Sequence, residues 1–377
     1  MNRVDVVAVD AEGLDWGEGH EDLGVYMLAL ARLGPDGALA NARFDLFALQ
    51  LTDRAFPIVV PQGAQHCWLT SLAVTYGKAL RDEIDRDQRG VMAWLYRGAS
   101  WLAEGVLRLT RADQAVYVNH LLFSTSLYGG WTADDLGPAL MALRRAFPKR
   151  AIVWRSLNAE DNPDLLAAMD RHGARRVVSR IVWTLADPAR QWTPRRDARD
   201  DRKLTAAGGL SVETPADLSP ADLDRVIQLY EDVYLAKYSR ANPAYRPEML
   251  RAAIESGVLN LQLIRGPQGD IQAFAADHVY ERMLSSPMLG HDRDRPAGEG
   301  LFRVAMSLSV LRALEAGLSV NHSAGAGAFK RNRGAKSALE YMAVFDAHLP
   351  LWRRIGYGLL ARALKATTPS LERIALR

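Results

Sequence analysis

Between residues 259 and 321 the chain changes its hydrophobic period in a fixed order, and no other feature narrows the fold as much. Leu259–Ile264, Ile271–Tyr280 and Met283–Leu289 are apolar runs with branched and aromatic residues, and they predict three successive strands. Pro267, Gln268 and Gly269 mark the first turn. Leu301–Ala316 keeps apolar residues at helical intervals and stops at Gly317. Leu318–Asn321 and Leu339–Phe345 are further short strands, and Trp352–Leu364 is a closing helix. Upstream, Ser219 and Pro220 open a helix with a cap and a first-turn proline. Its apolar positions Leu223, Val226, Ile227, Tyr230 and Val233 keep helical spacing. Pro247–Ser256 is a second helix, ended by Gly257. Residues 219–364 therefore read α-α-β-β-β-α-β-loop-β-α, an α+β half on a central mixed sheet.

The first half is less regular. Phe44–Leu51 and Pro57–Val60 read as strands, and Ser71–Ile84 and Ala133–Phe147 as helices, with Thr132 as the cap of the second. From residue 133 the order is helix, strand (Ala151–Trp154), helix (Pro163–His172), strand (Val177–Leu185). No internal repeat with a recognisable consensus stands out. The chain has 377 residues, enough for about two domains of roughly 100–200 residues each. The best boundary is the charged, Pro- and Gly-punctuated stretch 188–210, a linker with a helical centre. This gives an N-terminal domain over 1–187 and a C-terminal domain over 211–377.

Composition excludes several classes. Hydrophobic residues are 49% and charged residues 24%, so a sizeable core is available and collagen-like or wholly disordered chains are out. One cysteine, Cys67, allows no internal disulfide and begins no multi-cysteine zinc site; it reads as a small buried hydrophobe. No basic-then-apolar leader and no membrane-spanning run is present, so the expected location is the cytoplasm. Of 47 basic residues 7 are lysine, leaving 40 arginines. Codon usage in a GC-rich genome accounts for most of that bias. Arginine clusters also grip phosphates bidentately, which suits either coenzyme A or tRNA.

Four segments carry candidate chemistry. Residues 321–335, NHSAGAGAFKRNRGA, combine small residues that let a backbone approach a ligand with Lys330, Arg331 and Arg333 close behind. The alternative is a glycine-rich connection with a solvated basic edge. Residues 295–300, RPAGEG, lie between a strand and a helix; Arg295, Gly298 and Gly300 suit a pyrophosphate at the helix start, although Pro296 and Glu299 are poor neighbours for an anion. An ordinary strand–helix turn reads equally well. Tyr234, Lys237, Tyr238 and Asn242 cluster where the long helix ends, as an acceptor-recognition loop or as helix-end packing. In the first half Asn119, Tyr128 and Arg155 belong to polar and aromatic stretches that either line a cleft or satisfy loop backbone. No zinc-protease, Walker A or nucleophile-elbow motif occurs, and the eight histidines have no metal spacing.

The run from Gly300 to Arg303, then Gly317, the 321–335 stretch and Glu340–Val344 resembles the FemXAB-like tandem-GNAT (GCN5-related N-acetyltransferase) proteins, including valanimycin-type aminoacyl-tRNA-dependent transferases. Residues 237–243, KYSRANP, and His348–Arg354 resemble relatives from bacterial biosynthetic clusters. The likeness extends over about 219–355 and is weaker over 119–187, where residues 154–158 and 163–166 resemble a first GNAT-like half. It implies two GNAT-like domains in tandem, each a mixed sheet flanked by helices, and transfer of an acyl group to an amine. Fem-type members take an aminoacyl group from aminoacyl-tRNA; ordinary GNAT members use acyl-CoA. Lys330 matches the lysine of the family's F-K-R stretch.

The expected mechanism is direct attack of a neutral amine, hydroxylamine or hydrazine on the donor ester or thioester, with no covalent enzyme intermediate and no bound cofactor. Lys330, with Arg331 or Arg333, stabilises donor phosphate or developing negative charge, helped by backbone N–H groups of Gly325 and Gly327. Asp277, His278 or Tyr280, on the central strand, takes the proton; strand alternation points Asp277 and His278 to opposite faces, so at most one of those two serves a given cleft. His322 is the other candidate base. Replacing Lys330 with alanine is expected to depress turnover without unfolding the chain. Two other classes stay open: a non-catalytic binding protein on a GNAT fold, and an RNA-binding protein using Arg195, Arg196, Arg199 and Arg202.

Overall fold

The computed structural model describes residues 4–206, 209–215 and 217–376. Its strands are β1 (Asp5–Ala8), β2 (Phe44–Gln50), β3 (Ala55–Pro61), β4 (Ala115–Val118), β5 (Ala151–Leu157), β6 (Arg175–Leu185), β7 (Ser211–Glu213), β8 (Asn260–Arg265), β9 (Ile271–Tyr280), β10 (Met283–His291), β11 (Ser319–Asn321) and β12 (Lys336–Phe345). All twelve form one sheet in the order β1-β2-β3-β4-β5-β12-β6-β11-β10-β9-β8-β7.

That order is a palindrome. Reading inward from either rim, each half contributes its own first five strands. β4–β5 and β10–β11 are the parallel pairs, and the rest are antiparallel. At the centre the halves exchange their sixth strands. β12, from the C-terminal half, pairs with β5, and β6, from the N-terminal half, pairs with β11. β6 and β12 then pair with each other over their length. The sheet therefore has approximate two-fold symmetry about the β6–β12 seam. No repeat appears in the sequence because the likeness lies in the strand order and not in residue identity.

The helices are α1 (Glu21–Leu33), α2 (Leu72–Val74), α3 (Leu80–Asp87), α4 (Gly90–Leu109), α5 (Leu136–Ala146), α6 (Pro163–Arg171), α7 (Pro188–Gln191), α8 (Arg196–Ala206), α9 (Pro220–Glu231), α10 (Pro247–Glu255), α11 (Leu301–Ala316), α12 (Gly327–Asn332) and α13 (Leu351–Leu376). Thr75–Ala79 and Asp232–Tyr238 are π-helical turns. Among the described residues no helix is long and apolar enough to cross a membrane.

Local chemistry explains the elements that sequence located well. All seven residues of β3 are buried, as a continuous apolar run in a covered sheet should be; β5 is buried throughout as well, its Arg155 and Ser156 included. The Ser219 hydroxyl caps α9 by accepting from the Asp222 N–H. Thr132 does not cap α5: its hydroxyl donates to Asp135, which precedes the first turn. Cys67 is fully buried. The third and fourth strands of the C-terminal half, β9 and β10, are joined by Glu281 and Arg282 alone. In the N-terminal half the same link is residues 62–114 and carries α2, α3 and α4.

The stretch 188–210 is helical where it is described, and it is packed (residues 207 and 208 lie outside the described residues). Trp192, Ala198 and Asp201 are buried. A β-carbon at Gly300 would come within 2.4 Å of Leu204, so α8 lies tight against the start of α11.

Candidate active site

In each half the parallel pair of strands parts at its C-terminal end. β10 follows β11 from Met283↔Ser319 to Ser285↔Asn321 and then shifts register before Met288. β4 follows β5 only to Val118↔Trp154, and Asn119, at φ +55°, turns the chain away. Crevices beyond the carboxyl ends of parted strands are where open mixed sheets bind ligands.

In the C-terminal half this opening is closed by protein. Ala326, at φ +48°, leads into α12, and a β-carbon on Gly327 would sit 2.8 Å from the Trp183 ring. Lys330 on α12 points back under its own loop. Its Nζ donates to the carbonyls of His322 at 2.7 Å, Ser323 at 3.3 Å and Ala324 at 2.8 Å. An ammonium has three N–H groups, so these bonds saturate it. Burial, with a contribution from Arg180, pushes Lys330 down to about 7. Burial beside Lys330 also holds His322 neutral, at about 3, with Nδ1 unpartnered. Gly325 and Arg331 remain exposed.

The other cations near the α11 start are already matched. Asp201 of α8, fully buried, accepts from Arg303 at 2.6 Å and from two nitrogens of Arg333, one of them at 3.0 Å. Arg333 also lies 3.5 Å from the Phe329 ring centre. Arg295 pairs with Glu299 at 2.6 Å; Gly298 is exposed, and Gly300 takes the left-handed conformation at φ +68°. The space left among Trp192, Asp201, Met306, His322, Phe329 and Lys330 is ≈ 10 Å³, no more than a single water needs. Three of the four arginines picked from the connection are engaged locally: Arg202 lies over Trp192, Arg195 donates to the Gln191 carbonyl, and Arg196 sits 3.9 Å from Asp200, while Arg199 is exposed.

The second cluster lies on the seam. Arg180 of β6 and Glu340 of β12 are directly opposite in register. They form a bidentate pair at 2.8 and 3.1 Å, with the carboxylate buried. The Arg180 guanidinium lies 5.4 Å from the Trp68 ring centre, and that of Arg155 lies 4.8 Å from the same ring. Arg155 is buried and donates through Nη1 to the carbonyls of Trp68 at 2.9 Å and Leu69 at 2.7 Å. Among the described residues no carboxylate hydrogen-bonds to it, and burial depresses its pKa. Asp161 accepts from Asn158 at 2.8 Å and from Asn321 at 3.0 Å, joining the end of β5 to the end of β11. His120 is buried, and burial with Arg155 nearby takes it down to about 3.

Several residues picked from sequence for the acceptor meet at this cluster. The Trp68 indole donates to Asn242 at 2.8 Å, and Asn242 donates to the Tyr234 carbonyl at 2.8 Å. Tyr128 donates to the Arg155 carbonyl, and Asn119 donates to that of Leu127 at 2.6 Å. Tyr238 continues from Tyr234, their ring centres 6.2 Å apart, and Lys237 and Arg86 lie 5.2 and 4.9 Å from the Tyr238 ring centre. Asp277 and His278 do face opposite ways. Asp277 is buried beneath α11, accepting from Ser309 at 2.6 Å and Ser286 at 2.8 Å, and burial raises its pKa. His278 faces Phe123 of the N-terminal half, its Nδ1 3.0 Å from the Val258 carbonyl. Sequence reasoning missed Trp68, Arg180, Glu340, Asp161 and Asp201. Arg180 and Glu340 carried a usable signal: each is a charge in the middle of an apolar strand, where a charge needs a partner.

No protein-family model matches the chain, and no curated protein matches it. Solved structures do. L-PGS from Bacillus licheniformis aligns at a TM-score of 0.51 and 12% identity, over 93% of this chain and 98% of that one. FemX aligns at 0.50 and 10%, over 84% and 91%. The chain has a FemX-like fold. A tandem GNAT protein from the clavulanic acid biosynthesis pathway aligns at 0.40 and 12%, over 91% and 98%. Within the FemX-like fold the Arg180–Glu340 pair lies at the seam between the two halves of the sheet, and the Asp201–Arg333 pair is confined to the C-terminal half and the 188–210 connection.

Proposed function

We propose that this chain is an acyltransferase that moves an aminoacyl group from aminoacyl-tRNA to an amine, hydroxylamine or hydrazine by direct attack. The FemX-like fold supports the transferase class, and the likeness of residues 300–344 to Fem-type members supports the aminoacyl donor. One observation carries the choice of donor. Asp201 holds Arg303 and Arg333 at the α11 start, the place where an acyl-CoA pyrophosphate would need free cations. A carboxylate of the chain already fills that seat, and Leu204 packs on Gly300. Gly298 and Gly300 are what remains in favour of acyl-CoA as the alternative donor.

In the reaction a neutral amine nitrogen attacks the ester carbonyl of the donor. The carbonyl oxygen becomes an oxyanion, the carbon–oxygen bond to the tRNA ribose breaks, and the proton lost by nitrogen ends on the ribose oxygen. Arg155 is the group best suited to the oxyanion or to a donor phosphate, because it is a buried cation without a carboxylate partner among the described residues. Trp68 holds it in place, and Arg180 is locked to Glu340 beside it. Lys330 acts as a positioning residue for the 322–324 loop. His278 faces the junction and Asp277 does not, so His278 is the base this arrangement favours. The donor is a co-substrate, and the scheme calls on no resident cofactor.

Purified protein incubated with a pool of charged tRNAs and hydroxylamine is expected to deplete one aminoacyl-tRNA and form the matching hydroxamate. With acetyl-CoA it is expected to form none. Hydroxamate from acetyl-CoA alone would reassign the donor. Tight, salt-sensitive tRNA binding without any hydroxamate would favour the binding-protein reading.

A further inference from the structure

Among the described residues sixteen large hydrophobic side chains stay exposed, and they are not scattered: eight lie on α4 and four at the start of α13, twelve of the sixteen. α4 buries only Ala93, Ser100, Glu104 and Leu107. The rest of its apolar surface faces outward, with Trp94 at 70% exposure, Trp101 at 62%, Leu102 at 71% and Leu109 at 80%. Trp94 and Trp101 are two turns apart and share a face. α13 adds Trp352 and Ile355 beside it: Arg111, just past α4, lies 5.8 Å from the Trp352 ring, and Gly356 packs on Thr110. An apolar patch of this extent marks an interaction surface.

Charge identifies the occupant. Residues 88–111 carry four arginines and one acid, Glu104, a net of +3; residues 347–366 carry three arginines, one lysine and no acid, a net of +4. Together that is +7 in a chain whose total is +3, so all remaining residues sum to −4. Glu104 is buried and paired with Arg81 and Arg108, and Arg97 pairs with Asp85. Arg89, Arg111, Arg354, Arg362 and Lys365 have no ion-pair partner among the described residues. A second copy docked by two-fold symmetry would set these unpaired cations against their like. An anionic bilayer takes both properties at once, the apolar side chains in the headgroup boundary and the arginines on lipid phosphates. We propose that the face formed by α4 and the start of α13 docks on the surface of an anionic membrane, peripherally and without spanning it.

The test uses the full chain and two kinds of vesicle, pure phosphatidylcholine and phosphatidylcholine with about one third phosphatidylglycerol, at low and near-physiological salt. Co-sedimentation is expected on the anionic vesicles, about tenfold tighter than on neutral ones and weaker with salt, with a blue shift of tryptophan emission. Trp94→Ser with Leu102→Ser is expected to cut binding about tenfold without moving the urea midpoint, because both side chains are exposed. Arg111→Glu with Arg354→Glu is expected to abolish the preference for anionic lipid. No binding to anionic vesicles at low salt overturns the proposal. So does a concentration-dependent dimer that the Trp94→Ser, Leu102→Ser variant dissociates, since that assigns the face to a second copy.

Discussion

Replacing Glu340 with alanine is expected to destabilise the chain by about 3–5 kcal/mol and to abolish transfer. The carboxylate is buried and is the only one that pairs with Arg180 among the described residues. Without it the guanidinium keeps a carbonyl, a hydroxyl and the Trp68 ring, and none of these carries charge. The stability loss alone does not tell a functional pair from a structural one, so the informative variant is the double one. Arg180→Met with Glu340→Leu removes both charges and fills the space, and such replacements commonly restore stability or exceed it. Urea unfolding is expected to return to within about 1 kcal/mol of wild type while the hydroxamate assay stays silent. Normal transfer by the double variant would remove the Arg180–Glu340 pair from the site.

Lys330→Met is expected to cost about 2–4 kcal/mol, because three carbonyls lose their donor at once. This revises the expectation from sequence, in which alanine lowered turnover and left the fold alone: the lysine holds the 322–324 loop from beneath and has no N–H left for a donor phosphate. Its pH dependence separates it from an ordinary core residue. Burial lowers its pKa from 10.5 to about 7. Between those values the unfolded chain binds the extra proton, so the penalty of the buried charge is full below pH 7 and is relieved as pH rises toward 10.5. Wild-type stability should therefore gain on Lys330→Met by up to ~1.4 kcal/mol per pH unit within that window. Equal gaps between the two proteins at pH 7 and pH 9.5 would show that the ammonium is not depressed.

What was legible in the sequence was what local chemistry decides. β9 and α11 have the bounds read from hydrophobic period and flanking glycines. α4 was not read, because its pattern is inverted: tryptophan and leucine face out, and alanine, serine and a paired glutamate face in. The exchange of β6 and β12 left no trace either, since pairing between strands so far apart has no local period. The site followed the same division. The glycine-rich loop, Lys330 and Arg155 stood out by composition. Asp201 did not, because in a stretch of alternating arginines and aspartates one buried carboxylate looks like its solvated neighbours. Its partners Arg303 and Arg333 come from two other elements, and only the packed structure unites them.

The exchanged strands also bear on how the protein is made. Synthesis runs from the N-terminus, so β5 leaves the ribosome long before residues 336–345 exist to cover its open edge. β6, also made early, has neither of its final neighbours until β11 and then β12 follow. The nascent chain must carry an unpaired edge through the translation of nearly the whole second half, the state in which strands most readily pair with the wrong molecule. The first half is thus finished last, and a gene cut after codon 187 would encode a sheet without its closing strand.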